Sequence, residues 1–349
     1  MERRNGKLTK TAVLSAAHAA VDFACAVLFF GSIQSEHIWL GMILYNACAF
    51  LLQLPVGMIA DRFNRNVLVS AIGCLLVAAG FVFRSTPVLA LIIAGIGNGA
   101  FHVGGGIEVL NLSDEKAGPL GVFVSPGAIG LYLGQVYAGW FHANPVAVPA
   151  LMLLCGVVIL LSAGKEACSG SQNAPFSLET PKGGILSLAL LFLVVVLRSY
   201  MGMSTAFSTG DLLRSLPSPL PGLIAVLCVA GGKAAGGFLS DRIRPVPASV
   251  LSLGLCTLIL FFPVHPALLL VALFLFNMTM PITLHASAKI LKGAKGMAFG
   301  LLTAAWFLGA VPKFMGYPFP GSGWIYGTLT VFSLVLLLLG LGGQTCRTR

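Results

Sequence analysis

Twelve apolar runs of about 17–25 residues, each the length needed to cross a bilayer as a helix, limit what this chain can fold into. They lie near residues 11–31, 37–60, 67–84, 88–112, 119–141, 146–164, 183–209, 219–240, 248–264, 266–290, 296–315 and 322–342. The least marked divisions are at Pro263–Pro266 and near Gly293. Only 9% of the 349 residues are charged and 57% are hydrophobic. Soluble domains carry about a quarter charged residues, and no water-soluble core of this size hides so much apolar surface. The expected class is an all-α integral membrane protein with 12 transmembrane helices in two six-helix pseudo-repeat bundles. Lys165 to Lys182 is the long polar stretch between the ends, rich in Ser, Gly, Asn and Pro. It divides an N-terminal bundle (1–164) from a C-terminal bundle (183–349) as a linker over 165–182.

The formal net charge of +10 does not point to nucleic acid, because the bases sit in short loops between apolar runs, where a topology signal belongs. With the N-terminus inside, the inner group holds Arg3, Arg4, Lys7, Arg62, Arg65, Lys116, Lys165, Lys182, Arg242, Arg244, Lys292, Lys295, Arg347 and Arg349; the outer group holds Arg84 and Arg214. Both termini are therefore expected in the cytoplasm of a multi-pass protein of the plasma or inner membrane. The basic start resembles a signal peptide, but Asp22 within the first run and the lack of a small-residue cleavage site favour a retained helix. The eight cysteines are single and lack C-x-x-C spacing, so they read as apolar fillers, and neither a metal nor a cofactor is expected.

A charged hairpin occurs twice. Gly57-Met-Ile-Ala-Asp61-Arg62-Phe-Asn-Arg65 ends the second run, and Gly237-Phe-Leu-Ser-Asp241-Arg242-Ile-Arg244 ends the eighth. Glycine, an acid four residues on and then arginine stand at the same place in each half, as a duplicated bundle requires.

Ionisable groups are costly within a bilayer, so those inside the runs are the functional candidates. Asp22 lies mid-run with His18 one helical turn before it. The pair reads as a proton site or as a hydrogen bond that fixes packing. The fourth run carries Asn98, His102, Glu108 and Asn111 among many glycines, which permit close helix contact. His102 reads equally as a substrate or proton site and as a packed polar residue. Glu108 is expected to pair with Arg62 or Arg65 as a latch. The second half has the opposite sign: Arg198 and Lys233 lie deep in the seventh and eighth runs and the tenth adds Asn277 and His285, whereas Lys289 and Lys313 sit near run ends and can snorkel. An acidic half facing a basic half implies a chamber for an anion or zwitterion, with Arg198 offering a planar fork to carboxylate or phosphonate. Alternatively Arg198 pairs with Asp22 and closes the empty chamber. The fifth run holds a glycine ladder, Gly121, Gly130 and Gly134, with Pro126 as a candidate kink.

These stretches resemble a known family. The hairpins are similar to the loop signature G-x-x-x-D-R-x-G-R/K-R/K of the major facilitator superfamily, with Asn64 in place of its glycine and Asn66 in place of its last base. The glycine ladder resembles the fifth-helix signature of its proton-coupled antiporters, with Gln135 in place of the proline and Ala138 in place of the next glycine. His18/Asp22, Phe101-His102 and Arg198-Ser-Tyr200 look most like the fosmidomycin-resistance type of efflux protein, with Val103 where that type has proline. Gly95 stands where many antiporters of the family have arginine. The resemblance implies alternating access by a monomer, a small-molecule substrate, and energy from a proton gradient. Asp22, with His18, would carry the proton; Arg198, His102, Asn98, Lys233 and Asn277 would meet the substrate; the hairpins would latch one state. Uptake of an organic anion is the alternative. An enzyme is not expected, since neither H-E-x-x-H nor G-x-S-x-G occurs.

Overall fold

A computed structural model of the chain describes residues 2–32, 38–139, 146–163, 173–204, 206–209, 212–213, 216–262, 265–320 and 322–342. The side chains of Arg3 and Arg4, and residues Lys165, Arg214, Pro263, Arg347 and Arg349, lie outside what is described, as does the linker before Asn173. The described residues are helical almost throughout, as lipid demands: with no water in the hydrocarbon layer, each backbone N–H and C=O must find its partner within the segment.

The helices are α1 (Glu2–Ser32), α2 (Ile38–Phe63), α3 (Asn66–Val82), α4 (Pro87–Leu112), α5 (Gly118–Val136), α6 (Ala147–Ala163), α7 (Gly184–Gly202), α8 (Leu220–Ile243), α9 (Pro245–Phe261), α10 (Ala267–Ile290), α11 (Lys295–Phe314) and α12 (Gly323–Gly342). Among the described residues nine helices are long and apolar enough to cross a membrane; α3, α6 and α9 are apolar but shorter. Large aliphatic and aromatic residues cover the outside, among them Ile185 and Leu161, each 75% exposed, which suits lipid rather than water.

The boundaries depart from expectation at several ends. α1 starts at Glu2, not residue 11, so the basic N-terminal residues continue the first helix. α5 stops at Val136 and α7 at Gly202, short of the predicted 141 and 209. α2 contains a π turn over Ala47–Leu51, with Leu52 N–H bonding back to the Ala47 carbonyl. α10 is interrupted at Met278. α5 runs on through Pro126.

Within residues 2–163, α1 packs on α5 and α6, α3 on α4 and α6, and α2 on α4. Six helices later α7 packs on α11 and α12, α9 on α10 and α12, and α8 on α10. Two further seams join these sets, α2 against α11 and α5 against α8. Small residues set the spacing. A Cβ on Gly97 would sit 2.8 Å from the Gly73 carbonyl oxygen, so α3 and α4 touch backbone to backbone.

Candidate functional site

His18 and Asp22 lie one turn apart on α1, Asn98 and His102 one turn apart on α4, and the four side chains meet between these helices. His18 Nε2 is 3.2 Å from Asp22 Oδ2, and His102 Nε2 is 3.7 Å from Asp22 Oδ1. Asn98 Nδ2 donates to Asp22 Oδ1 at 3.0 Å. His18 Nδ1 lies 2.7 Å from the Phe123 carbonyl oxygen, and His102 Nδ1 2.9 Å from that of Asn98. A carbonyl only accepts, so both rings carry a proton on Nδ1. The Nε2 atoms, 2.8 Å apart, then face each other with lone pairs, beside a carboxylate. Two lone pairs and an anion repel one another, so this arrangement closes only around positive charge.

The cations lie on the other six helices. Arg198 of α7 is buried, with Nη1 donating to Thr283 Oγ1 at a long 3.4 Å and the guanidinium 5.7 Å from the Phe276 ring centre. Its Nε is buried without a hydrogen-bond partner. Among the described residues no carboxylate reaches Arg198 or Lys233 as an ion pair, so the Asp22–Arg198 pair given as the alternative is not formed. The reason is positional: Asp22 is held by its own half, and Arg198 turns to Thr283 and Phe276 of α10. Lys233 Nζ donates to the Val124 carbonyl at 3.4 Å and lies within the field of both Asp22 and Arg198. Asn277 gives its amide to the Leu273 carbonyl one turn back on its own helix.

The two hairpins do one physical thing twice. Asp61 Oδ1 and Oδ2 accept from the backbone N–H groups of Gly296 (2.8 Å) and Met297 (2.9 Å), the first turn of α11. Asp241 Oδ1 and Oδ2 accept from Ala117 (2.7 Å) and Gly118 (2.8 Å) at the start of α5. A helix start leaves N–H groups unpaired and carries partial positive charge, so a carboxylate fits it. The glycine one turn earlier lets the backbones approach: a Cβ on Gly57 would run into the Gly296 carbonyl, and one on Gly237 would come within 2.6 Å of the Ala117 carbonyl. Arg62 lies 4.8 Å from the Phe176 ring centre rather than on Glu108, and Arg65 and Arg242 are exposed. Glu108 accepts instead from Asn66 at 3.4 Å, so the expected Glu108–arginine latch is replaced by carboxylate-to-helix contacts.

The ladder on α5 faces two ways. Gly130 and Gly134 meet α1 at Ala19 and Phe23, and Gly121 meets the Lys233 carbonyl of α8. The sequence reading passed over a fourth member, Gly127. A Cβ there would fall 2.5 Å from Asp22 Oδ2 and collide with His18 Nε2, so its missing side chain is the room the cluster occupies. It also passed over Asn173 of the linker, which accepts from Asn66 (2.8 Å) and Asn111 (2.5 Å) and donates its N–H to Asn64 (3.2 Å). Lys295 donates to Asn111 at 2.7 Å and ties this clasp to α11. The repeated asparagines around the first hairpin were the available signal.

The sequence profile of the Major Facilitator Superfamily matches residues 12–312. No curated protein matches by sequence at a significant level. Among solved structures the chain is similar to a fucose:proton symporter of Escherichia coli (15% identity, TM-score 0.65), covering 96% of this chain and 99% of that one. It is also similar to a human organic anion transporter (16%, TM-score 0.64, covering 95% and 99%). A third likeness is to a bacterial homologue of the iron transporter ferroportin in an outward-facing state with soaked iron (17%, TM-score 0.62, covering 97% and 98%). At these identities the likeness is one of fold.

Proposed function

This chain belongs to the major facilitator superfamily, and from that premise we propose that it is a proton-coupled exporter of a small anionic or amphiphilic organic compound, of the fosmidomycin-resistance type. Twelve transmembrane helices form two six-helix bundles, 1–164 and 183–349, joined by a cytoplasmic linker over 165–182. The recurrence of each helix pairing six helices on supports this reading. So does the pair of matching carboxylate latches at the α2–α11 and α5–α8 seams, on the face where the inner basic residues gather. With that face latched the chain stands outward-facing, as its ferroportin-like neighbour does, and release of the latches opens the cytoplasmic side.

One observation carries the substrate class: Arg198, a buried guanidinium with an unpartnered Nε and no carboxylate in ion-pair reach among the described residues. An uncompensated buried charge costs several kcal/mol, which an entering anion recovers. Lys233 adds a second positive group. The His18–His102–Asp22 cluster is the coupling site, since its geometry already calls for a proton. The test uses purified protein in proteoliposomes with a pH dye inside, exposed in turn to small phosphonates, carboxylates and neutral sugars. An anion should drive proton movement that Arg198→Met removes. Flux driven by neutral sugars alone would overturn the anion reading.

A second reading, uptake of the same anion by symport, has one observation on its side. Asp22 and Arg198 do not share a contact, so proton and anion can be held together rather than by exchange. The direction of anion accumulation under an imposed inward proton gradient separates the two.

A further inference from the structure

We propose that His18, His102 and Asp22 also form a binding site for one divalent transition-metal ion, zinc in the first instance, between α1 and α4. Each of the three side chains offers one donor atom, and these donors lie within 4.8 Å of one another. A tetrahedral zinc site with bonds of about 2.0–2.1 Å separates its donors by roughly 3.3 Å. Here the two Nε2 atoms are 2.8 Å apart, His18 Nε2 is 3.2 Å from Asp22 Oδ2 and His102 Nε2 is 3.7 Å from Asp22 Oδ1, so a slight parting of the rings and a turn of the carboxylate that brings one oxygen toward both complete three corners of the polyhedron.

The surroundings are those a metal requires. Metal-bound histidine donates its other N–H to a carbonyl or carboxylate, which fixes the tautomer and leaves the opposite lone pair free. Both rings do this here, His18 to Phe123 and His102 to Asn98. The carboxylate is oriented in turn by the Asn98 amide. Two imidazoles and a carboxylate suit zinc, cobalt(II) and nickel(II) better than calcium or magnesium, which take all-oxygen shells. Gly127 lets α5 lie directly against the donors, since a Cβ there would fall 2.5 Å from Asp22 Oδ2. The Asp22 side chain is 19% exposed, which gives an ion a way in. Sequence spacing hides the site, because its two histidines are 84 positions apart on different helices.

The proposal goes beyond proton-coupled transport. The same lone pairs that hold a proton would hold the metal, so the ion would compete with the coupling proton as cargo or as inhibitor. It is tested by binding alone, with neither gradient nor anion, so its failure leaves the transport reading standing, and the reverse.

The experiment takes the full chain in detergent, stripped with a chelator. Zinc is titrated against a chromophoric competitor, and cobalt(II) is followed by its visible absorption. One ion per chain is expected, with the intense visible bands of four-coordinate cobalt. His18→Ala and His102→Ala should each weaken zinc binding about 100-fold or more, and Asp22→Asn should change the cobalt spectrum. His265→Ala and His285→Ala should leave both readouts as they are. If His102→Ala fails to fold, His102→Gln, which keeps a side-chain amide in the same place, is judged by the same loss. Zinc binding that survives both histidine substitutions overturns the proposal, as does no binding at one ion per chain below about millimolar zinc.

Discussion

The two polar centres of this molecule are built on opposite terms. The one between α1 and α4 is tightly held but lacks positive charge: Asn98 donates to Asp22 and two backbone carbonyls hold the rings, while two Nε2 lone pairs face each other beside the carboxylate. The one on α7 and α8 is loosely held and lacks negative charge. Arg198 has a single long hydrogen bond and an orphan Nε, and Lys233 has a distant carbonyl. Polar groups in a low-dielectric interior are costly when unpaired and rigid when fully paired. The first centre is therefore fixed in geometry but short of a cation, and the second is short of an anion. On the proposed reading a small cation occupies the former, and an anion large enough to reach two cationic groups occupies the latter.

The largest test sets one substitution in each centre against the other. Arg198→Met removes a charge that nothing neutralises, so anion affinity should fall by about 2 kcal/mol or more, roughly 30-fold, while the chain becomes more stable by about 1–3 kcal/mol. Asp22→Asn should do the reverse to stability, because the histidine pair loses its counter-charge and a buried acceptor is changed, at about 1–3 kcal/mol. Proton movement driven by substrate should also vanish. Thermal unfolding in detergent, run beside proteoliposome flux, reads both. Shifts of the same sign in the two variants would break the contrast.

A narrower test concerns how the first centre is enclosed. Gly127→Ala puts a methyl group against His18 Nε2 and Asp22 Oδ2, with overpacking of about 1–3 kcal/mol and loss of proton coupling. Gly139→Ala, just beyond the end of α5, meets nothing within 4 Å and should change neither. Equal effects at both positions, measured by unfolding and by flux, would mean that the cluster has slack the geometry does not show.

Much of this architecture was legible in residue order, and the illegible part has a physical cause. Length and hydropathy place the helices, since lipid allows almost no other structure, and the repeated Gly57/Asp61 and Gly237/Asp241 patterns mark the seams. Pairing across helices is another matter. That His102 would join His18 and Asp22 depends on the rotation of α4 about its own axis, which an α4 rich in glycines and apolar on most sides does not reveal. The Asp22–Arg198 pair suggested by opposite charges fails for the same reason. Asn173 was hidden because a polar linker reads as filler, and Gly127 because the ladder spacing of 121, 130 and 134 drew attention past it.

The two latches sharpen the comparison at lower energy. Both carboxylates cap a helix start, each worth about 0.3–2 kcal/mol. Asp61→Asn and Asp241→Asn should each shift the population toward an opened hairpin face, seen as a longer spin-label distance across the α2–α11 or α5–α8 seam. The clasp of Asn64, Asn66, Asn111 and Lys295 around Asn173 backs the first seam only, so Asp241→Asn should give the larger shift. Equal shifts would remove any role for the clasp.

The smallest effect lies one step further along the same hairpins, where the family signature has glycine. Both residues there have positive φ, but they bear it differently. Asn64, at φ 51° and ψ 46°, caps α2 in the left-handed region that asparagine tolerates, and its side chain accepts from the Asn173 N–H. Arg244, at φ 74° and ψ 157°, occupies a region open almost only to glycine, at a cost of about 1–3 kcal/mol. Arg244→Gly should therefore stabilise the chain, by about 1 kcal/mol once the added freedom of the unfolded glycine is set against the relieved strain. Asn64→Gly should be neutral or slightly destabilising, because it gains little backbone ease and loses the hold on the linker. Apparent melting temperatures of the two variants should thus move in opposite directions. Movement of both upward would mean that the clasp contributes nothing and that the two hairpins differ only in the strain of one residue.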